Sequence, residues 1–287
     1  MKRILLCTDG SIFAQSSYRY GAWFAQRLGA SVDVLYVTDA RGKATAEASN
    51  LSGSIGLGAS ESLLKKLVEV EHERARLNHE RAKLILDDAE QVLTSHGATS
   101  VRRLHKTGFL VDFLETLEAD ADLIVLGKRG EAAEFASGHL GANLERIVRA
   151  SHKPCLVTSR QYQPIDRVLV AYDGSDSGQK MLTFVTQSPV FKGLELHIMT
   201  VAKSADDATA TTRLDQARHQ AQQGGFEPIC VMQQGNPETE ITKYCDTNTV
   251  SLLLMGAYGH SRIRYLVIGS TTAQVLRSSH IPVLVFR

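Results

Sequence analysis

Short apolar runs bounded by Gly, Asp or Pro alternate along this chain with longer amphipathic stretches. That is the pattern of β-α-β units building a parallel sheet, whose strands are buried on both faces and so read as continuous apolar runs. In the first half the runs predict strands near 3–8, 31–38, 100–106, 122–127 and 154–158. In the second half they predict strands near 167–172, 194–201, 226–233, 251–256 and 282–286. Helices fill the gaps and include 176–187, 208–224, 237–247 and 270–279.

The pattern is duplicated. Ile4-Leu5-Leu6-Cys7-Thr8-Asp9-Gly10-Ser11 is answered by Val168-Leu169-Val170-Ala171-Tyr172-Asp173-Gly174-Ser175. Ser151-His152-Lys153-Pro154-Cys155-Leu156-Val157 is answered by Ser279-His280-Ile281-Pro282-Val283-Leu284-Val285. The expected organisation is two α/β domains, 1–160 and 161–287, each long enough to bury its own core. Asp9 and Asp173 are 164 positions apart, as are Val37 and Val201, whereas Gly108 and Gly235 are 127 apart. About 37 extra residues therefore lie between Val37 and Gly108. Within that insertion, 41–60 is rich in Gly, Ser and Ala, and 61–96 has a helical pattern with Leu63, Leu67, Val70, Leu77 and Leu84 on one stripe. The reading is a surface loop feeding an elongated helix, the loop leaving from the carboxyl end of the second strand.

Composition narrows the class. Lysine plus arginine (32) nearly balances aspartate plus glutamate (31), without the basic surplus that nucleic-acid or anionic-membrane binding demands. Lys2 and Arg3 precede only the short run Ile4 to Cys7, and no later run approaches the ~20 apolar residues of a membrane span. The expectation is a cytoplasmic protein with neither nucleic acid nor membrane as partner. Cys7, Cys155, Cys230 and Cys245 form no C-x-x-C pair and read as buried hydrophobes. His72 and His79, seven apart among Glu71, Glu73 and Glu80, read as a solvated helix face rather than a metal site, and no metal-ligating set is expected.

The chemistry is concentrated after the strand at 251–256. Gly256-Ala257-Tyr258-Gly259 is followed, nine residues later, by Gly269-Ser270-Thr271 and an apolar helical pattern. Glycines let the backbone approach a ligand closely, and a helix N-terminus aims unpaired N–H groups and partial positive charge at an anion. The stretch therefore reads as a phosphate cradle. Its form, Gly-x-x-Gly-x9-Gly-[Ser/Thr], resembles the ATP-binding signature of the universal stress protein family, and the two strand-Asp starts at Asp9 and Asp173 resemble that family's opening. The resemblance covers nearly the whole chain apart from the insertion and identifies it as a tandem member.

The resemblance implies two tandem Rossmann-like domains, each a five-stranded parallel sheet of order 3-2-1-4-5 sandwiched by helices, packed pseudo-symmetrically like a family homodimer. The first and fourth strands of each half would then lie side by side where the winding reverses, with the ligand crevice at their carboxyl ends. Gly256 and Gly259 would curl around ribose and phosphate, and Gly269, Ser270, Thr271 and Thr272 would open the helix onto the phosphates. Asp173 matches the residue that touches the nucleoside, and Val201 the one whose backbone reads the adenine edge. His260, with Arg262 and Arg264, lies in the nine-residue spacer within reach of phosphates.

The first half departs from the signature. Gly127-Lys128-Arg129-Gly130 is intact, but ten residues precede Gly141, and Ala142-Asn143 replaces Ser-Thr. Two hydroxyls are lost at the anion end, and Glu131 and Glu134 oppose a triphosphate. Lys128 and Arg129 add positive charge, so Asp9, Val37, Gly127, Gly130, Gly141 and Asn143 form a weaker site.

No Gly-x4-Gly-Lys-[Ser/Thr] or kinase signature occurs, so no catalytic residue is named and at most slow ATP hydrolysis is expected. The leading reading is an ATP-binding stress-response or signalling module, with Mg2+ accompanying the nucleotide and room for a homodimer or protein partner. Two readings of other classes stand beside it: a nucleotide-using transferase or hydrolase with His260 as its one nearby catalytic candidate, and a small-molecule carrier or scaffold using the first domain.

Overall fold

The computed structural model describes residues 2–39, 57–128, 140–204, 206–257 and 269–287, apart from the side chains of 57–64 and 142. The first half supplies strands β1 (Arg3–Thr8), β2 (Ser31–Asp39), β3 (Val101–Gly108), β4 (Leu123–Gly127) and β5 (Cys155–Thr158). The second supplies β6 (Arg167–Ala171), β7 (Glu195–Ala202), β8 (Ile229–Gln234), β9 (Leu252–Gly256) and β10 (Val283–Phe286). The helices described are α1 (Ala14–Leu28), α2 (Leu57–Ser95), α3 (Leu110–Glu118), α4 (Ala142–Ala150), α5 (Asp176–Gln187), α6 (Ala208–Gln223), α7 (Pro237–Thr247) and α8 (Ser270–Ser278). Among the described residues, no helix is long and apolar enough to cross a membrane.

Each half has the order 3-2-1-4-5, and the two are joined edge to edge into one ten-stranded sheet, β3-β2-β1-β4-β5-β10-β9-β6-β7-β8. Within each half every pairing is parallel, and β5 against β10 is antiparallel. That seam is short: Val283 faces Val157, Leu284 faces Leu156, and Val285 faces Cys155, all buried. Cations from each half tie down the helix ends of the other. The Lys128 ammonium donates to the carbonyls of Arg277 (2.6 Å) and Ser279 (2.8 Å) at the end of α8. Arg287 donates to those of Arg149 (2.9 Å) and Ala150 (3.2 Å) at the end of α4. Both put positive charge on the negative end of a helix dipole.

Helices α1, α2, α5 and α6 cover one face of the sheet, burying Tyr18, Phe24, Leu93, Met181 and Leu182. The other face is covered by α3, α4, α7 and α8 through Leu114, Ile147, Ile241 and Leu276. Each apolar layer runs through both halves, so the two domains share a continuous core. Cys7, Cys155 and Cys245 are buried there, and burial pushes their thiols up to about 12, which leaves them unreactive.

Two details depart from the sequence pattern. β8 begins at Ile229 rather than near 226. Phe226 instead closes α6, its N–H bonding the Ala221 carbonyl at 3.0 Å, and Pro228 has no N–H to give a ladder. In α2, the stripe of Leu67, Val70, Leu77 and Leu84 faces solvent; Val70 is 62% and Leu84 71% exposed. The core face of α2 is Ala82, Leu86, Ala89 and Leu93, small and large residues alternating against α1 and the sheet.

Leu284→Ala should therefore cost about 2–5 kcal/mol, because it hollows the seam where both halves meet. Leu84→Ala should stay within about 0.5 kcal/mol. Urea unfolding of both variants checks the pair, and equal shifts would contradict the packing described.

Candidate nucleotide site

β6 and β9 are neighbours, with Val168 opposite Leu252 and Val170 opposite Leu254. Asp173, two residues past β6, and Gly256, the last residue of β9, therefore reach the same rim although 83 positions separate them. Val201 comes to that rim at the end of β7, half-buried, where Thr200 Oγ1 donates to the Tyr172 carbonyl at 3.0 Å.

Asp173 is held in a tight turn. Its Oδ1 accepts from the Ser175 N–H (3.0 Å) and the Ser175 hydroxyl (2.6 Å), and Ser175 Oγ accepts from the Gly178 N–H (3.2 Å), capping α5. Gly174 has φ +75°, and a Cβ there would meet the Arg213 side chain at 2.8 Å. Arg213, on α6, thus lies across the turn and brings a guanidinium to the rim. Tyr172 registers both charges: burial pushes its phenol above the ordinary range, Asp173 adds to that, and Arg213 opposes it.

At the other wall, β9 gives way to a turn that reaches the start of α8. The Gly269 N–H donates to the Ala257 carbonyl (3.1 Å), and Thr272 Oγ1 donates to the carbonyls of Gly256 (2.9 Å) and Ala257 (3.3 Å). Thr272 is buried, so its hydroxyl braces the glycine turn against the helix. The first helical bond runs from Ala273 N–H to the Gly269 carbonyl, which leaves the N–H groups of Ser270, Thr271 and Thr272 without an acceptor in the helix. Ser270 is exposed, Thr271 half-buried, and no acidic residue stands in this first turn. Backbone donors, two hydroxyls and the positive helix end thus meet at one place, an arrangement that suits an anion. Gly259, His260, Arg262 and Arg264 lie outside the described residues.

The first half repeats the scaffold and changes its chemistry. Asp9 Oδ1 accepts the Ser11 N–H at 3.0 Å, but the buried Ser11 Oγ has no hydrogen-bond partner, and Phe13, at the N-cap of α1, gives no side-chain cap. Gly10 has φ +74°, and Ile85 of α2 occupies the place over it that Arg213 takes over Gly174. Val37 and Gly127 are half-buried at the strand ends, and Gly141 and Asn143 are exposed at the start of α4. Glu145 occupies the first turn of α4, placing a carboxylate at the helix's positive end. The Lys128 ammonium, whose charge the sequence reading counted toward this site, donates to two carbonyls at the end of α8. Gly130 lies outside the described residues, as do Arg129, Glu131 and Glu134. Among the described residues, no group of three or more His, Cys, Asp or Glu is placed to hold a metal.

Arg213 escaped the sequence reading because a basic residue inside an amphipathic helix looks solvated. The repeat offset was the available signal, since Ile85 and Arg213 are 128 apart, in step with Gly127 and Gly256 at 129. Glu145 could be found in the same way, opposite Ala273.

The sequence model of the universal stress protein family matches residues 1–159 and again 164–287. The chain belongs to the universal stress protein family. It is similar to universal stress protein Slr1230 of Synechocystis, at 56% identity over the full length of both chains. A single-unit relative, YxiE of Bacillus subtilis, is 25% identical over 146 residues, which is 42% of this chain and 99% of that protein. A solved universal stress protein from Archaeoglobus fulgidus superposes with a TM-score of 0.72 at 23% identity, covering 99% of this chain and 98% of that one. The tandem Rossmann-like architecture is thus shared along the whole length.

Thr272→Val is expected to destabilise the fold by about 1–3 kcal/mol, because two carbonyls of the turn lose their donor. Ser270→Ala, at an exposed helix start, should stay within about 0.5 kcal/mol. Thermal and urea unfolding distinguish the two.

Proposed function

We propose that this protein is an ATP-binding stress-response or signalling module of the cytoplasm, in which nucleotide held by the second domain biases conformation or the binding of a protein partner or second copy. The domains are taken as 1–160 and 161–287. The observation that carries the reading is the start of α8: free N–H groups and hydroxyls at Ser270 and Thr271, braced by Thr272 and unopposed by any acid in the turn. Asp173 suits the nucleoside end, since a carboxylate would repel phosphate. Val201 offers backbone groups to the base. Gly256, Gly259, His260 and Gly269 complete the cradle, with Arg213 adding positive charge beside Asp173.

Magnesium travels with the triphosphate in this reading rather than being held by a protein cage. Turnover is slow or absent, since efficient phosphoryl transfer needs a positioned metal, a base or water-orienting group, and cations on the γ-phosphate. The first domain binds ATP weakly: it lacks the two hydroxyls, has Ile85 where the second has Arg213, and carries Glu145, 3.7 Å from the Arg277 guanidinium, in the first turn of α4.

Isothermal titration of MgATP into the full chain is expected to give about one equivalent, abolished by Gly259→Asp combined with Ser270→Ala. Arg213→Ile should weaken binding by about two- to tenfold while leaving the unfolding midpoint near wild type. Absence of heat in the wild type, or equal binding by the double variant, would overturn the assignment to the second domain.

A further inference from the structure

The insertion gives the chain an apolar ridge on its surface. Among the described residues eight large hydrophobic side chains are exposed, and five of them are on α2: Leu67, Val68, Val70, Leu77 and Leu84. Single exposed apolar residues are ordinary, but a contiguous run of them marks an interface. Val70, Leu77 and Leu84 recur every seven residues, so they form one ridge about 21 Å long, and Leu67 extends it by a turn. The buried residues Ala82, Leu86, Ala89 and Leu93 lie on the opposite side of the helix. The ridge therefore points away from the molecule's own core. The corresponding helix of the second half, α6, exposes no large apolar side chain.

We propose that this ridge is a dimer interface whose occupant is α2 of a second copy of the chain, running parallel and in register. The charges beside the ridge choose that occupant. At seven-residue spacing Glu73 and Glu80 line one flank and Arg74 and Arg81 the other. A twofold axis parallel to the helices brings opposite flanks together, so each row of glutamates faces the other copy's row of arginines. An antiparallel pair would bring glutamates to glutamates and arginines to arginines, which is repulsive. These groups already have partners within the chain: Arg74 lies 3.8 Å from Glu71, Arg76 donates to Glu73 at 2.9 Å, and Arg74 and Arg81 have further contacts. Ion pairs on exposed side chains contribute little, so exchanging them across an interface costs little. The apolar ridge supplies the attraction, and the charges set direction and register. Because Ala82, Leu86, Ala89 and Leu93 already hold α2 against the core, association does not have to form the helix, the step that makes short helices marginal in isolation. The ridge gives the second copy named in the proposed function a place to dock, and it uses no residue assigned to the nucleotide.

Sedimentation velocity of the full chain between about 1 and 200 µM should show reversible monomer–dimer exchange with a dissociation constant of about 1–100 µM. Leu77→Glu combined with Leu84→Glu, both at exposed positions, should weaken dimerisation at least about tenfold. The same variant should keep the wild-type unfolding midpoint at the dilute end of that range. It should also keep the wild-type MgATP titration, so that failure of the nucleotide reading is told apart from failure of this one. Leu84→Cys should cross-link to its counterpart under mild oxidation, with wild type as the blank, since a parallel in-register pair brings the two residues 84 together whereas an antiparallel pair sets each beside residue 70. A monomer throughout the range would leave the ridge to a different protein and overturn the proposal. A dimer that survives the double substitution, or one in which Leu84→Cys does not cross-link, would overturn it as well.

Discussion

The antiparallel pairing of β5 with β10 governs the whole architecture. A five-stranded parallel unit ends at its fifth strand in a row of unpaired N–H and C=O groups, and here every residue of β5 and β10 is buried. An exposed apolar edge of this kind invites aggregation, and pairing it with its counterpart removes the hazard. The contact spans only three residue pairs, so it relies on reinforcement. Lys128 and Arg287 provide it by reaching across to the carbonyl ends of α8 and α4, and Arg27 of α1 does so by donating to the carbonyls of Val190 and Lys192. Because both apolar layers cross the seam, disturbance in one half is transmitted to the other through packed side chains rather than a linker.

Covalent duplication frees the two crevices to diverge, and the divergence is chemically consistent. At four corresponding places the two halves differ in hydrogen bonding or charge, each time with the added donor or the missing acid in the second. Ser175 caps α5 and fixes Asp173, whereas Ser11 Oγ bonds nothing. Arg213 lies over its glycine where Ile85 lies over the other. Ser270 and Thr271 open α8 where Ala142 and Asn143 open α4, and Ala273 stands where Glu145 stands. One such change would be unremarkable; four in the same direction leave the start of α8 and the turn at Asp173 with more donors and less negative charge than their counterparts in the first half.

Much of the fold was legible because buried parallel strands are written as short continuous apolar runs, a signal that tertiary context rarely overrides. All ten strands lie within three residues of the starts the pattern predicts, and the strand order followed from the family likeness. The turn from β9 into α8 was legible because glycine spacing and a hydroxyl at a helix start are local. What escaped was non-local. Nothing in the surroundings of Lys128 says that its ammonium lies on a helix 149 positions away. Nor does Arg213 announce the turn 39 positions upstream that it covers. Thr272 read as a ligand contact from its place in the motif, and only the fold reveals the carbonyls it holds.

The long helix α2 shows why periodicity alone does not choose a buried face. Its most conspicuous stripe, Val70, Leu77 and Leu84 at seven-residue spacing, is the one turned to solvent, while the modest set Ala82, Leu86, Ala89 and Leu93 is buried. Space decides: α2 runs close against α1 and the sheet, where small residues admit the helix and large ones fill what is left. At 39 residues α2 is about 58 Å long, far more than a five-stranded sheet needs for cover, so its leading half must project past the strands. An insertion at the carboxyl end of β2 is the cheapest place for such growth, because it lengthens a connection without disturbing a ladder. The same geometry makes growth there consequential, since any wall raised beside those strand ends encloses space next to the crevice where the winding of the sheet reverses.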